Sequence, residues 1–218
     1  MPEARPQPSR MSAIDRRQQL LETALDFFSR KGFEGATTKE IAAAAGVTEA
    51  IIFRHFPNKQ ALYKAVLDYT AHASNLEGWL AETKACMERN DDAGMLRSIA
   101  NNILKSYRTD PRFERVVLFA ALEGHEAGLA HHHQLALPVF ELLRGYIVRR
   151  QRQGAFLGYN PGAIIEAIAG MTTHYAMMTQ LFGYTPPSGL SDEKAIETFT
   201  RIVMSGVQKP AARKKSKK

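Results

Sequence analysis

Residues 32–59 have the sequence GFEGATTKEIAAAAGVTEAIIFRHFPNK, which contains two closely spaced helix signals. Thr37 and Glu40 have the spacing of a capping box, which predicts a short helix that begins at the threonine. Gly46 ends that helix with a left-handed turn, and Pro57 blocks the continuation of the next one. Two helices of about eight residues joined by a turn with one glycine make a helix-turn-helix pattern.

Helical spacing continues on both sides of this stretch. Upstream, apolar residues at helical intervals predict a first helix from Ala13 to Lys31 that Gly32 ends. Downstream, Asn58 is placed to cap a fourth helix that we expect to continue to about Leu76. Further helices are expected over 92–107, 111–124, 131–153, 161–182 and 192–207. The predicted fold class is therefore all-α, with a three-helix domain followed by a larger helical domain.

The composition of the 218 residues excludes several classes of protein. A single cysteine, Cys86, permits neither an intrachain disulfide nor a Cys-rich zinc site. No apolar run approaches the roughly 18 residues of a membrane-spanning helix. Of the formal net charge of +7, the basic tail 208–218 supplies +6, so residues 1–207 together carry +1. The total charge therefore does not by itself indicate DNA binding.

The pattern extends beyond the two short helices and resembles a known family. GFEGATTKEIA over 32–42, AGVT over 45–48 and IFRHFPNK over 52–59 are similar to the DNA-binding domain of the TetR family of transcriptional regulators. The resemblance covers about residues 14–69. It implies a homodimer that reads a palindromic operator in double-stranded DNA, and that represses transcription until a small effector lowers its affinity for DNA.

This resemblance, together with the composition, predicts four segments. They are an N-terminal arm over 1–12, a helix-turn-helix DNA-binding domain over 13–58, a helical ligand-binding and dimerisation domain over 59–207, and a tail over 208–218. The arm and the tail lack apolar periodicity, and we expect both to be disordered. The arm also lacks the apolar run of a secretory signal, so a cytoplasmic, nucleoid-associated protein is expected.

Residues for DNA contact follow from matching this chain to the family pattern. Phosphate contacts are expected at positions with hydroxyl, ammonium or imidazole groups: Thr38, Lys39, His55 and Lys59. In the third helix, Arg54 can form two hydrogen bonds to guanine O6 and N7. Ala50 and Ile51 can meet a thymine methyl group, and Glu49 can accept a hydrogen bond from cytosine N4.

Two further expectations concern the same helix. Thr48 precedes its first turn and is placed as a side-chain N-cap. Many family members have tyrosine where this chain has Phe53, so the phosphate contact of the tyrosine hydroxyl is either absent here or supplied by another residue. The Phe53 ring is expected to pack under the third helix.

The helix expected over 161–182 is apolar on two faces and so needs two packing partners. Its small-residue face and the last helix are expected to form the dimer interface, through Ala163, Ala167, Gly170, His174, Phe199, Ile202 and Val203. Large apolar side chains that could line a pocket for a small apolar or aromatic effector are Trp79, Tyr107, Phe119, Tyr146, Met171, Tyr175 and Met178. Each of these seven also fits an ordinary core residue.

Other chemistries find little support in the sequence. The run His131 to His133, with His125 before it, lacks partners at the spacing of a metal site, so a surface or loop role is expected. No nucleophile elbow, phosphate loop or paired-carboxylate signature is present, and neither enzymatic activity nor a cofactor is expected. The alternative function is that of a DNA-bound structural or cell-division-control protein of the same fold that does not respond to a small molecule.

Overall fold

The computed structural model describes residues 12–73, 76–186 and 189–208, and it confirms the all-α fold class. Most of the N-terminal arm and residues 209–218 of the tail lie outside these ranges. The helices in chain order are α1 (Ala13–Gly35), α2 (Thr38–Ala44), α3 (Glu49–His55), α4 (Lys59–Ala73), α5 (Leu76–Glu88), α6 (Asp92–Thr109), α7 (Arg112–Leu122), α8 (Glu126–Arg152), α9 (Pro161–Ala176) and α10 (Asp192–Val207).

Helix boundaries or helix types differ from the sequence expectation in several places. α1 continues past its expected end at Lys31 to Gly35, with a break at Gly32. A separate helix, α5, begins at Leu76, where one long fourth helix was expected to end. α8 begins at Glu126, five residues earlier than expected, because the His125 Nδ1 atom accepts the Gly128 N–H at 3.1 Å and caps its first turn. α9 continues beyond Ala176 as a π-helical segment, Met177–Leu181.

The chain divides into two compact units. The head unit contains residues 12–71 and 112–132, and the body unit contains 72–111 and 133–208 of the described chain. Fully buried side chains of the head core include Leu20, Phe28, Ile41, Ile52, Leu62, Tyr63 and Val116. Fully buried side chains of the body core include Met95, Leu96, Ile147 and Ile168.

The head unit is larger than the DNA-binding domain expected over 13–58, because α7 packs on α1. Arg115 Nε donates to the Ser29 carbonyl at 2.8 Å, and Arg112 pairs with Glu22 at 3.1 Å. Val116 is completely buried in the same core. Helices that are distant in sequence thus complete the head.

A break in α1 fixes the path of the chain toward α2. Gly32 has φ 72° and ψ −176°, a backbone conformation that side chains with a Cβ rarely adopt. Beyond it, the Phe33 and Glu34 N–H groups donate to the Glu123 carboxylate at 2.9 and 3.2 Å. A Cβ atom on Gly32 would lie 1.9 Å from Glu123 Oε1. Glycine is therefore required by its dihedral angles and by the approach of Glu123.

Gly32→Ala is expected to lower the free energy of unfolding by about 3 kcal/mol, through left-handed strain and displacement of Glu123. Urea unfolding of the full chain measures this change. The matched control is Gly35→Ala, whose Cβ would make an ordinary contact of 3.4 Å with Lys31 Cβ. The control should stay within about 1 kcal/mol of wild type. Equal stability of the two variants would contradict the proposed role of Gly32.

Candidate nucleic-acid interface

The first helix of the helix-turn-helix pattern, α2, begins with the predicted capping box. The Thr37 hydroxyl accepts the Glu40 N–H at 3.2 Å, and the Thr37 N–H donates to the Glu40 carboxylate at 3.2 Å. Lys31 adds an ammonium 2.6 Å from Glu40 Oε1. These contacts with Lys31 and Thr37 lower the pKa of Glu40 from 4.5 to about 2. The start of α2 is therefore held by a carboxylate that keeps its charge far into the acid range.

The turn between α2 and α3 has the geometry that the sequence indicated. Gly46 has φ 67°, and its N–H donates to the Ala43 carbonyl at 3.1 Å. The Val47 N–H donates to the Ala42 carbonyl at 2.9 Å. From α1, the Gln19 side chain donates to the Ala45 carbonyl at 3.3 Å. These hydrogen bonds satisfy carbonyl groups at the end of α2 and set the direction in which the chain enters α3.

α3 has one buried side and one exposed side. Ile52 is completely buried, whereas Ala50 and Arg54 are exposed. The expectation that Phe53 packs under the helix is wrong, because its side chain is 43% exposed. Ile52 already fills the buried side, and Phe53 lies one turn from Ala50 on the exposed side. Phe53 is thus a surface residue that the sequence analysis had placed in the interior. Its i, i+3 spacing from Ala50 indicates that the two side chains share one side of α3.

The other predicted residues of α3 lie differently. Ile51 and Glu49 are half-buried. Thr48 is the N-cap residue of α3, as expected, and has an extended backbone with φ −84° and ψ 154°. Its side chain makes no capping hydrogen bond, so that part of the expectation is wrong. The Thr38 hydroxyl, expected to contact phosphate, donates to Glu49 Oε1 at 2.5 Å.

The remaining predicted phosphate contacts are basic residues of the head unit. Lys39 is exposed in the first turn of α2. Lys59 begins α4 and places its ammonium 4.4 Å from the centre of the Phe33 ring. His55 is half-buried, with its ring 6.3 Å from that of Phe56. Lys59 and His55 thus lie at the start of α4 and the end of α3, on either side of residues 56–58 in the sequence.

The predicted dimer residues fall into two groups. Four of them form an exposed stripe on α9: Ala163, Ala167, Gly170 and His174. On α10, Ile202 is 53% exposed. Val203 does not belong to this surface, because it is buried in the core of its own body unit. Phe199 is half-buried and packs edge-on against Tyr175, with ring centres 6.1 Å apart.

Six of the seven predicted effector residues lie in the body unit, and the seventh does not. Phe119 belongs to the head unit, where its ring lies beside Gly32. Trp79, Met171 and Met178 are half-buried, and Tyr107 is buried. The Trp79 Nε1–H donates to the Ser98 carbonyl at 3.0 Å.

Two of the three buried tyrosines of this set, Tyr146 and Tyr175, donate hydrogen bonds to carboxylates of the body unit. The Tyr146 hydroxyl donates to Asp92, which also accepts two hydrogen bonds of 2.8 Å from Arg150. The Tyr175 hydroxyl donates to Asp192 at 2.8 Å. Burial, followed by the Asp192 carboxylate, raises the pKa of Tyr175 to about 12. Both hydroxyls are therefore protonated at neutral pH and occupied within the body core.

The histidine run lies in α8 and not in a loop, which corrects part of the expectation for it. His131 Nε2 is 2.7 Å from Asp68 Oδ1 of α4, and the His132 ring packs near Phe113. Across residues 12–73, 76–186 and 189–208, no group of three or more potential metal ligands is present. Within the same ranges, no helix has the length and apolarity needed to cross a membrane.

Helices α2 and α3 lie within the region that known proteins share. The sequence profile of the bacterial regulatory proteins of the tetR family matches residues 20–66, which extend from α1 into α4. Residues 20–66 thus form a domain of the tetR family, and the chain is a transcriptional regulator.

Relatives extend the similarity over most of the chain. The HTH-type transcriptional regulator RutR of Escherichia coli (strain K12) is 26% identical over 197 residues, which are 88% of this chain and 91% of RutR. The nucleoid occlusion factor SlmA of Pasteurella multocida is 27% identical over 178 residues, 78% of this chain and 85% of SlmA. A solved structure of AibR in complex with isovaleryl coenzyme A and operator DNA has the same TetR fold, with a TM-score of 0.61 at 22% identity over 86% of this chain and 97% of AibR.

The Glu40 carboxyl should titrate near pH 2 in the folded protein, and NMR of its side chain measures this pKa. Because folding lowers this pKa, the contribution of ionised Glu40 to stability is present above about pH 4.5 and is lost between pH 4.5 and 2. Lys31→Met should raise the midpoint toward 4.5, whereas the exposed Lys84→Met should leave it unchanged. A titration midpoint of 4.5 for Glu40 in wild type would refute the proposed stabilisation of the start of α2 by the contacts of Glu40 with Lys31 and Thr37.

Proposed function

We propose that this TetR-family regulator is a homodimeric repressor that binds a palindromic DNA operator through α3 and leaves it when a small effector binds in the body unit. The observation that carries this proposal is the exposed side of α3, with Ala50, Phe53 and Arg54, supported from behind by the buried Ile52. Such a protein acts on the nucleoid, in the cytoplasm.

Sequence reading would come from the exposed side of α3. The Arg54 guanidinium matches guanine O6 and N7, and the apolar Ala50 and Phe53 match thymine methyl groups. Lys39 and Lys59 would hold the phosphate backbone, which fixes register without selecting sequence. In a dimer, the two copies of α3 would enter successive major grooves about 34 to 36 Å apart.

The proposed dimer interface is the small-residue stripe of α9 with the exposed side of α10. Small side chains at Ala163, Ala167 and Gly170 allow a second helix to approach closely. Ile202 and Phe182 are 53% and 67% exposed, and such large apolar side chains at a surface are typical of an interface. Val203 is omitted from this interface because it is buried in its own unit.

The proposed effector site lies among the half-buried side chains Trp79, Met171 and Met178 of the body unit. The Tyr146 and Tyr175 hydroxyls already bind internal carboxylates, which favours a small apolar or aromatic ligand over one that needs tyrosine hydrogen bonds. Phe119 is omitted because it belongs to the head. The effector would stabilise a conformation that binds the operator poorly and shift the population toward it. The AibR complex, which contains an acyl coenzyme A and operator DNA, supports the presence of both binding functions in this fold.

The alternative function, a DNA-bound structural or division-control role without an effector, is favoured by the similarity to the nucleoid occlusion factor SlmA over 85% of that protein. The two functions differ in their genomic pattern. A repressor occupies a few intergenic palindromes, and its deletion raises expression of the adjacent genes. Many dispersed sites with unchanged expression after deletion would support the alternative.

Arg54→Ala should weaken binding to the operator about 10- to 100-fold, because the variant loses a bidentate contact to guanine. Genome-wide binding of the full chain should show sequence-specific peaks for wild type that the variant loses. The matched control is Arg144→Ala, which removes an exposed arginine paired with Glu141 in the body unit. Wild type without such peaks, or an Arg54→Ala variant that keeps them all, would refute α3 as the reader.

Gly170→Glu should convert the dimer to monomers in sedimentation velocity, because it buries a carboxylate in the proposed interface. A Cβ on Gly170 would meet no atom within 4 Å in the same chain, so the fold should tolerate the substitution. Gly145→Glu is the matched control, since Gly145 is exposed within α8 and its Cβ also has free space. A Gly170→Glu variant that sediments as a dimer would exclude this stripe as the interface.

A further inference from the structure

One hydrogen bond joins the first residues of the two reading helices. Thr38 begins α2 and Glu49 begins α3, and the Thr38 hydroxyl donates to Glu49 Oε1 at 2.5 Å. Both side chains are half-buried, so solvent competes only partly for this contact. The carboxylate of Glu49 is therefore held toward α2 in the protein without DNA.

The hydrogen bond from Thr38 to Glu49 prevents Thr38 from donating to a DNA phosphate at the same time. A threonine hydroxyl has one hydrogen to donate, whereas an ionised carboxylate and a DNA phosphate are acceptors only. Thr38 can therefore donate to Glu49 or to a phosphate, but not to both. A phosphate at Thr38 would also bring its negative charge close to that of Glu49. Engagement of the DNA backbone at Thr38 thus requires the Glu49 carboxylate to move away and to find another donor.

We propose that Glu49 is a specificity-determining residue that acts by competition with the DNA backbone for Thr38. This inference rests on the proposed function of α3 as the operator reader. When a phosphate takes the Thr38 hydroxyl, the released Glu49 accepts a hydrogen bond from a cytosine N4 amino group in the major groove. At that position guanine presents only acceptors and thymine an acceptor and a methyl group, and adenine places the N7 acceptor beside its amino donor, so none of the three replaces the cytosine amino group fully.

Glu49 would therefore favour the operator mainly by weakening the binding of other DNA sequences. A released carboxylate with no donor loses its hydrogen bond and is repelled by the phosphates, which weakens binding to most sequences. At the operator, the cytosine amino group offsets that loss. Removal of Glu49 should therefore tighten binding to unrelated DNA more than binding to the operator. Arg54 on the exposed side of α3 reads its own base, so its preference should persist.

The test is selection of duplexes from a random pool by full-length wild type and by Glu49→Ala. The wild-type pool should show cytosine at one position in each half-site, and the Glu49→Ala pool should lose that preference alone. For a duplex selected by wild type, the affinity ratio against a scrambled duplex should fall about tenfold in Glu49→Ala. Glu49→Gln, which keeps an acceptor without the charge, should give an intermediate ratio.

Thr38→Val supplies the matched control for competition, because it removes the hydroxyl and keeps the shape of the side chain. In the Thr38→Val background, Glu49→Ala should change the affinity for the scrambled duplex at least threefold less than in wild type. Equal effects in the two backgrounds would overturn the competition, as would a Glu49→Ala pool that keeps the cytosine preference. Wild type that enriches no sequence would instead refute the proposed operator-reading function, before any variant is compared.

Discussion

The geometry of the head unit depends on one carboxylate that caps a break in α1 from far along the chain. Glu123 accepts the N–H groups of Phe33 and Glu34, and Gly32 is the residue that lets the carboxylate approach. This cap fixes the path of the chain beyond Gly32 and hence the position of the capping box of α2. The turn at Gly46 then sets the direction of α3. A displacement of Glu123 would therefore change the positions of all the residues of α2 and α3 that are proposed to contact DNA.

The sequence was sufficient for the elements whose determinants are local. The Thr37 capping box and the Gly46 turn each involve residues a few positions apart, and both are confirmed. The packing of α7 on α1 could not be predicted in this way, because an amphipathic pattern shows that a helix has a buried side but not which helix covers it. The same limit applies to Phe119, which helical spacing could not assign to the head unit.

The candidate site was predictable as a set of positions but not as a set of contacts. The family pattern placed Arg54 and Lys39 in the reading helices, and the structure exposes both. It could not reveal that Thr38 and Glu49 bind each other, since their bond depends on the angle between two helices. Phe53 was assigned to the wrong side of α3, because its aromatic character outweighed its spacing from Ala50. Exposure of its ring adds an apolar group to the proposed groove-facing surface.

The proposed operator binding requires two copies of α3 in adjacent major grooves of one palindrome. Hydroxyl-radical footprinting of the full-length protein on a duplex selected by wild type tests this arrangement. We expect two protected segments related by two-fold symmetry, with centres about 34 to 36 Å apart along the DNA axis, one helical turn. A single protected segment without symmetry, or uniform protection along the duplex, would contradict it.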